Sequence, residues 1–91
     1  MGYRKLMMIK PYEPLSIANL KTGEAFVVKG VELSREIGKR LADMGFTRGV
    51  EGRVVRRALF GDPLEVAILG YRVSIRKAEA AGVSVDRVAE K

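Results

Sequence analysis

The sequence predicts a mainly β fold, a small barrel of about five strands with one inserted α-helix over residues 34–44 and a short helical turn over residues 76–81. Short apolar or alternating segments recur between tight turns that contain glycine, which is typical of small barrels. One segment has helical spacing and carries signals at both of its ends. A length of 91 residues allows a single hydrophobic core.

The N-terminal part of the chain divides into an arm and the start of the domain. Residues 1–13 alternate basic with apolar residues around proline, which indicates an extended peripheral arm. The domain is predicted to cover residues 14–91. We expect it to begin with one turn that packs Leu15 and Leu20 inward. A tight turn then leads into a first strand over residues 24–32, which is rich in apolar and branched side chains.

The predicted helix has a recognisable beginning and end. Ser34 can accept a hydrogen bond from a first-turn amide, and Gly45 provides the left-handed residue that often ends a helix. Phe46 is then placed to contact Leu41, as in a Schellman-type ending. Three apolar residues at helical spacing define the face that we expect to enter the core: Ile37, Leu41 and Met44.

The rest of the chain is predicted to be mostly β. Strands are expected over residues 50–58, 64–69, 71–75 and 83–88. A Gly61-Asp62-Pro63 turn makes the first two of these strands a hairpin. Gly70 is expected to allow a sharp bend or a bulge before the next strand. Gly82 is expected to end the short helical turn.

The composition excludes most kinds of reactive centre. The chain contains no cysteine and no histidine, which removes disulfides, the commonest ligands of transition metals, and thiolate or imidazole catalysis. No pair of carboxylates has the sequence context of an acid/base dyad, and the glycine spacing does not match a phosphate-binding loop. We therefore predict a protein that is not an enzyme and has no cofactor and no metal site.

The net charge bears on the kind of partner that the chain can bind, and the lengths of its apolar runs bear on its location in the cell. The net charge of +6 permits an anionic partner, either nucleic acid, an acidic protein face or a lipid surface. The basic residues are spread along the chain without a block of five, which favours an ordinary solvated surface. The apolar runs are too short to span a bilayer and no secretory signal is evident, so we expect a cytoplasmic chain without membrane insertion.

Several short motifs occur together in one order. Their residues are Arg40-Leu41, Met44-Gly45-Phe46, Arg56-Arg57-Ala58, Gly61-Asp62-Pro63-Leu64, Gly70-Tyr71 and Ile75-Arg76-Lys77. The chain resembles in these motifs the ferrous iron transport protein A (FeoA) family. The resemblance runs from about Pro14 to the last predicted strand and leaves out the arm. It implies an SH3-like β-barrel and a cytoplasmic accessory of FeoB, a membrane ferrous iron transporter with a GTP-binding domain.

An apolar pair beside the hairpin turn is the candidate partner-binding site. Leu59 and Phe60 stand where polar residues are usual, so they could anchor in a pocket of the transporter. Arg56, Arg57 and Asp62 complete the candidate set, with the arginines as a polar rim. Asp62 also has a structural interpretation, because its carboxylate can accept a hydrogen bond from a nearby turn amide. In the competing interpretation of the pair, Phe60 folds back over an open barrel end.

Two other functions remain open from the sequence. Metal-dependent transcriptional repressors carry a related SH3-like domain, so the chain could be a regulatory or dimerisation module. A basic barrel could also bind nucleic acid through a stripe made by Arg53, Arg56, Arg57, Arg72 and Arg76. Because Arg56 and Arg57 should point to opposite faces of their strand, nucleic acid is not the expected partner. Exposed strand edges leave homo-oligomers open.

Overall fold

The computed structural model of this chain describes residues 15–88, so the predicted arm over residues 1–13 lies outside the described residues. Five antiparallel strands form one sheet in the order β4-β3-β2-β1-β5. The strands are β1 (Ala25–Val31), β2 (Glu51–Arg57), β3 (Leu64–Ile68), β4 (Tyr71–Ile75) and β5 (Val83–Arg87). The helices are α1 (Arg35–Asp43) and the short α2 (Lys77–Ala80). The predicted fold class of five strands with one inserted helix is confirmed.

Helix α1 begins and ends as its sequence predicts. The Ile37 N–H donates to Ser34 Oγ over 3.3 Å at the beginning. At the other end Gly45 has a φ of 114°, and the Phe46 N–H donates to the Leu41 carbonyl over 3.0 Å. A second bond from the Gly45 N–H to the Ala42 carbonyl completes a Schellman motif. Leu41 and Phe46 are both buried in the core.

The core draws on the sheet, on α1 and on the turn that precedes β1. Its largest fully buried side chains are Phe26, Phe46, Ile17, Leu20, Leu41, Leu64, Ile68, Ile75, Val28, Val54, Val66 and Val83. Ile17 lies in a 3-10 turn, Ile17–Asn19, and is fully buried, whereas Leu15 packs against the core from its margin. Leu15 is only half-buried, whereas Leu20 is buried as predicted.

The turn after β3 differs from its prediction. Leu69 and Gly70 both have positive φ, at 53° and 86°, and Ile68 pairs directly with Tyr71 across them. Positive φ at both central residues is the pattern of a type I′ turn, which reverses the chain in two residues. The predicted sharp bend at Gly70 therefore takes the form of a hairpin turn, and the alternative of a bulge was wrong. The ladder is irregular elsewhere, between Val28 and Gly30 and between Val54 and Arg56.

Two glycines in the sheet and its connections are required by close packing. A Cβ on Gly52 would lie 2.7 Å from Phe26 Cζ and 2.9 Å from the Ala67 carbonyl oxygen, so a side chain there would displace the Phe26 ring. Gly82 follows α2 as predicted, but its φ is not in the left-handed region. Its missing side chain instead makes room for Leu33, which packs over it.

Candidate partner-binding site

The connection between β2 and β3 projects two apolar side chains into solvent. We call residues 58–63 the hairpin tip. Within it Leu59 is 79% exposed and Phe60 is 90% exposed. Phe60 does not fold back over a barrel end, so the competing interpretation does not describe this structure. The apolar pair therefore lies exposed beside the hairpin turn, as the prediction of a partner-binding anchor requires.

The hairpin tip has a defined backbone. The Gly61 N–H donates to the Ala58 carbonyl over 2.7 Å, and the Ala58 N–H donates to the Pro63 carbonyl over 3.0 Å. Phe60 has a φ of 66°, in the left-handed region that non-glycine residues adopt rarely. An aromatic residue in that conformation indicates that the surrounding hydrogen bonds fix the turn, and with it the direction in which Phe60 points.

Arg57 braces the base of the hairpin tip. Its Nη2 donates to the carbonyls of Ala18 and Leu20, over 2.8 and 2.6 Å. The side chain is half-buried and ties β2 to the 3-10 turn that precedes β1. Its donors are used inside the fold, so Arg57 serves as a brace.

Arg56 lies on the opposite face of β2, as strand alternation predicted. Its Nε is 3.2 Å from Glu65 Oε1 on the neighbouring strand, and its side chain is largely exposed. Arg72 of β4 approaches the same carboxylate, with Nη1 3.5 Å from Glu65 Oε2. Arg56 is therefore the arginine of the predicted rim that is accessible to a partner.

Asp62 links the hairpin tip to α2. Its Oδ1 accepts a hydrogen bond from the Lys77 N–H over 3.0 Å, at the first residue of that helix. Its backbone is extended, with φ −143° and ψ 119°, as expected for a residue before proline. The structural interpretation of Asp62 is confirmed, although the donor amide belongs to a distant segment and not to the turn itself.

An open cleft of about 520 Å³ lies beside the hairpin tip. The residues that line it are Arg40, Asp62, Pro63, Ser74, Ile75, Arg76 and Glu79. Glu79 is buried and accepts hydrogen bonds from the Arg40 guanidinium and, over 3.0 Å, from the Arg76 N–H. Burial alone would raise the pKa of Glu79, but these two bonds outweigh it and hold that pKa below its ordinary value.

The described residues offer no metal centre. Within residues 15–88 no three histidine, cysteine, aspartate or glutamate side chains gather as a possible metal site. Neither helix in that part of the chain is long or apolar enough to cross a membrane.

Sequence reasoning missed two contacts around this site. The brace from Arg57 and the ion pair between Arg40 and Glu79 each join residues nearly forty positions apart. The acceptors of Arg57 are backbone carbonyls, which leave no mark in a sequence. The sequence signal for these contacts was weak: Arg57, Arg40 and Glu79 are charged residues that stand next to segments predicted to be buried.

The fold places the chain in the class of small SH3-like barrel proteins. FeoA of Chlorobium tepidum superposes with a TM-score of 0.78 and 35% identity over 82% of this chain and 71% of its own. FeoA of Stenotrophomonas maltophilia, solved with zinc and described as a prokaryotic SH3 domain protein, superposes with a TM-score of 0.71. It is 32% identical over 79% of this chain and 89% of its own.

The sequence comparisons identify the family within that class. The FeoA domain model matches residues 15–87. A fusion protein of Porphyromonas gingivalis, Fe(2+) transport protein A/Fe(2+) transporter FeoB, is 34% identical over 74 residues. That match covers 81% of this chain and spans about 9% of the length of the fusion protein. The chain belongs to the FeoA family, whose members are non-enzymatic accessory proteins associated with ferrous iron transport.

Proposed function

We propose that this chain is a cytoplasmic accessory protein of ferrous iron uptake, and that it acts by binding the cytoplasmic part of a FeoB-type GTPase transporter. The Porphyromonas gingivalis relative carries this proposal, because it joins a transport protein A segment to the transporter FeoB in one polypeptide. Two proteins that tolerate permanent fusion must be able to work side by side.

The hairpin tip is the part of the surface best suited to such binding. An exposed aromatic residue beside an exposed leucine is the kind of anchor that supplies most of the affinity in protein interfaces. The fixed backbone around Phe60 reduces the conformational freedom that binding would remove. Arg56 adds an exposed charge beside the anchor, in the place of a polar rim.

A binding measurement with one matched control tests this proposal. The full chain is titrated against a purified FeoB cytoplasmic part by calorimetry, as wild type, Phe60→Ala and Leu69→Ala. Leu69 is also an exposed apolar residue with positive φ, but it lies at the other end of β3. We expect Phe60→Ala to weaken binding about thirtyfold and Leu69→Ala to weaken it less than threefold.

Thermal unfolding of the same variants separates loss of contact from loss of fold. Phe60 is almost wholly exposed, so Phe60→Ala should leave the melting temperature within about 2 °C of wild type. Absence of wild-type binding, or equal losses in the two variants, would contradict the proposal.

The contacts of the arginines support nucleic-acid binding less well than they support binding of a transporter protein. Arg57 donates to backbone carbonyls, and Arg56 and Arg72 share the carboxylate of Glu65. These arginines therefore do not present one continuous row of unshared charge to a phosphate backbone.

A further inference from the structure

The outer edge of β4 is open to an additional strand. β4 is the last strand of the sheet and pairs with β3 alone. Ile68 and Tyr71 flank the two-residue turn and form a hydrogen-bonded pair, so the alternate residues Arg72 and Ser74 direct their backbone N–H and C=O groups away from β3. Within residues 15–88 these outward groups have no hydrogen-bond partner.

The cleft beside the hairpin tip adjoins the end of this edge. Ser74, Ile75 and Arg76 line it where β4 ends, and Arg40 lines it from α1. An extended chain added along β4 would therefore run into the cleft. Its backbone would pair with Arg72 and Ser74 while its side chains entered the space between β4 and α1.

The charges around the edge and the cleft are mainly positive. Three arginines border them: Arg40 and Arg76 line the cleft, and Arg72 lies on β4. The nearby carboxylates are already engaged within the chain: Glu79 pairs with Arg40, Glu65 pairs with Arg72, and Asp62 accepts from the Lys77 N–H. Arg40 and Arg72 nevertheless keep more than half of their side-chain surface exposed. The Arg76 guanidinium makes no ion pair with any of the described residues. A carboxylate on an incoming strand would find exposed donors here.

We propose that the β4 edge and the adjoining cleft form a docking site for an extended, acidic segment of a partner protein, which adds a sixth strand to the sheet. Main-chain hydrogen bonds to Arg72 and Ser74 hold the segment, and carboxylates reaching Arg76 and Arg40 select it. Alternate apolar side chains of the segment pack beside Val73, which is half-buried on the core side of β4.

Charge favours an acidic segment over a second copy of this chain. Two β4 edges paired about a twofold axis would bring Arg72 and Arg76 of both copies to one seam, and like charges along a seam oppose pairing. The net charge of +6 adds to that repulsion. An acidic segment is attracted by the same residues.

A peptide titration of the full chain tests the inference directly. The probe is a capped eight-residue peptide of alternating valine and glutamate, and the control peptide has lysine in place of glutamate. Binding is followed by amide NMR with hydrogen exchange. We expect the Arg72 and Ser74 amides to gain protection while the Val73 amide, already bonded to β3, changes little. The lysine peptide should bind at least tenfold more weakly.

Three results would overturn the inference. Equal binding of the two peptides would remove the role of charge. Protection of the same amides by the protein alone, rising with its concentration, would identify a second copy as the occupant. Tighter binding of a thymidine oligonucleotide at the same amides would point to nucleic acid.

Matched variants test the backbone and the charge separately. Ser74→Pro removes an outward N–H without removing a bond to β3, and Ser74→Ala alters only the side chain. The proline variant should bind the glutamate peptide about fivefold more weakly and the alanine variant as wild type does. If the proline variant unfolds, Arg76→Gln decides. It should weaken binding about threefold, whereas Arg48→Gln, at an exposed turn before β2, should not.

This inference goes beyond the proposed function and does not depend on it. Phe60→Ala should leave binding of the glutamate peptide unchanged even where it weakens transporter binding. If the peptide does not bind while the transporter still binds, the β4 docking site is rejected. The proposal that the hairpin tip binds the transporter is then unaffected.

Discussion

Strand β3 has an exposed apolar turn at each of its ends, and the two turns are built differently. At the first end the hairpin tip carries Leu59 and Phe60 away from the fold. At the second end Leu69 lies directly against Gly45, and the Tyr71 hydroxyl donates to the Met44 carbonyl over 3.1 Å. The second turn therefore packs on the end of α1, while the apolar residues of the first contact little of their own chain.

This difference shows that exposure of an apolar side chain does not by itself indicate a binding site. Leu69 and Tyr71 are about half exposed, yet each contacts the end of a helix and so has a structural role. Phe60 is held by backbone contacts below it and has no comparable contact for its ring. A residue that anchors a partner is therefore better recognised by two features together: a backbone fixed by hydrogen bonds and an exposed side chain that contacts little of its own chain.

The largest expected effect concerns the brace beneath the first turn. Arg57→Met removes two charge-assisted hydrogen bonds to the carbonyls of Ala18 and Leu20, and should lower the free energy of unfolding by about 3 kcal/mol. Arg56→Met removes only an exposed ion pair and should lower it by about 0.5 kcal/mol or less. Urea unfolding of both variants measures the difference. Similar values for the two would show that Arg57 is not a brace.

The stability of the fold should also depend on pH, through the buried carboxylate of Glu79 in the cleft beside the first turn. Because the pKa of Glu79 lies below its ordinary value of 4.5, its stabilising contribution is complete above pH 4.5 and is lost as the pH falls through the lowered pKa. Glu79→Gln should lower the free energy of unfolding by about 2 kcal/mol at pH 7.

The difference in the free energy of unfolding between wild type and Glu79→Gln should then become smaller as the pH falls below 4.5. Unfolding curves of both proteins across the acid range measure it. Glu24 also has a lowered pKa, chiefly from the hydrogen bond of the Lys21 N–H, but it is present in both proteins and cancels. A gap that stays constant with pH would contradict the role assigned to Glu79.

Glycine substitutions compare the two turns at their left-handed residues. Phe60→Gly relieves an unfavourable φ and loses little packing. It should therefore leave the free energy of unfolding unchanged or raise it by up to about 1 kcal/mol, with a matching rise in the melting temperature. Leu69→Gly gives the same relief but loses the contact with Gly45, so its net effect should be close to zero or destabilising. Scanning calorimetry distinguishes the two. A clear loss of stability in Phe60→Gly would mean that the ring packs on the fold.

The smallest expected effect belongs to the second turn. Tyr71→Phe removes the exposed hydrogen bond to the Met44 carbonyl and should lower the free energy of unfolding by about 0.5 kcal/mol. Transporter binding should not change, since the residue lies at the other end of β3. A drop in affinity comparable to that of Phe60→Ala would instead extend the binding surface to both turns.

The sequence predicts best what depends on neighbouring residues. The beginning of α1 at Ser34 and its ending at Gly45 and Phe46 are recognisable because cap residues act within one turn. The strands are recognisable because their side chains alternate. The Leu69-Gly70 turn was missed because leucine rarely adopts positive φ, so the glycine alone suggested a bend.

The candidate site was predictable only in part. An apolar pair beside a turn is visible in the sequence, and it directed attention to Leu59 and Phe60. Whether they project or fold back depends on the space at the end of the barrel, which no local pattern reports. The separation of Arg56 and Arg57 was predictable from alternation, but the carbonyls that receive Arg57 come from a distant segment.

The two borders of the sheet differ in how much of their own chain lies against them, which favours one of them for an added strand. Along β5, the Val85 N–H donates to the Leu15 carbonyl over 2.9 Å and Ser84 bridges to Ser16, so part of that border is occupied by the segment that precedes β1. In the part of the chain that the structure describes, the β4 border has no such cover. An incoming strand therefore meets an unobstructed border along β4, whereas along β5 it would have to displace the segment that precedes β1.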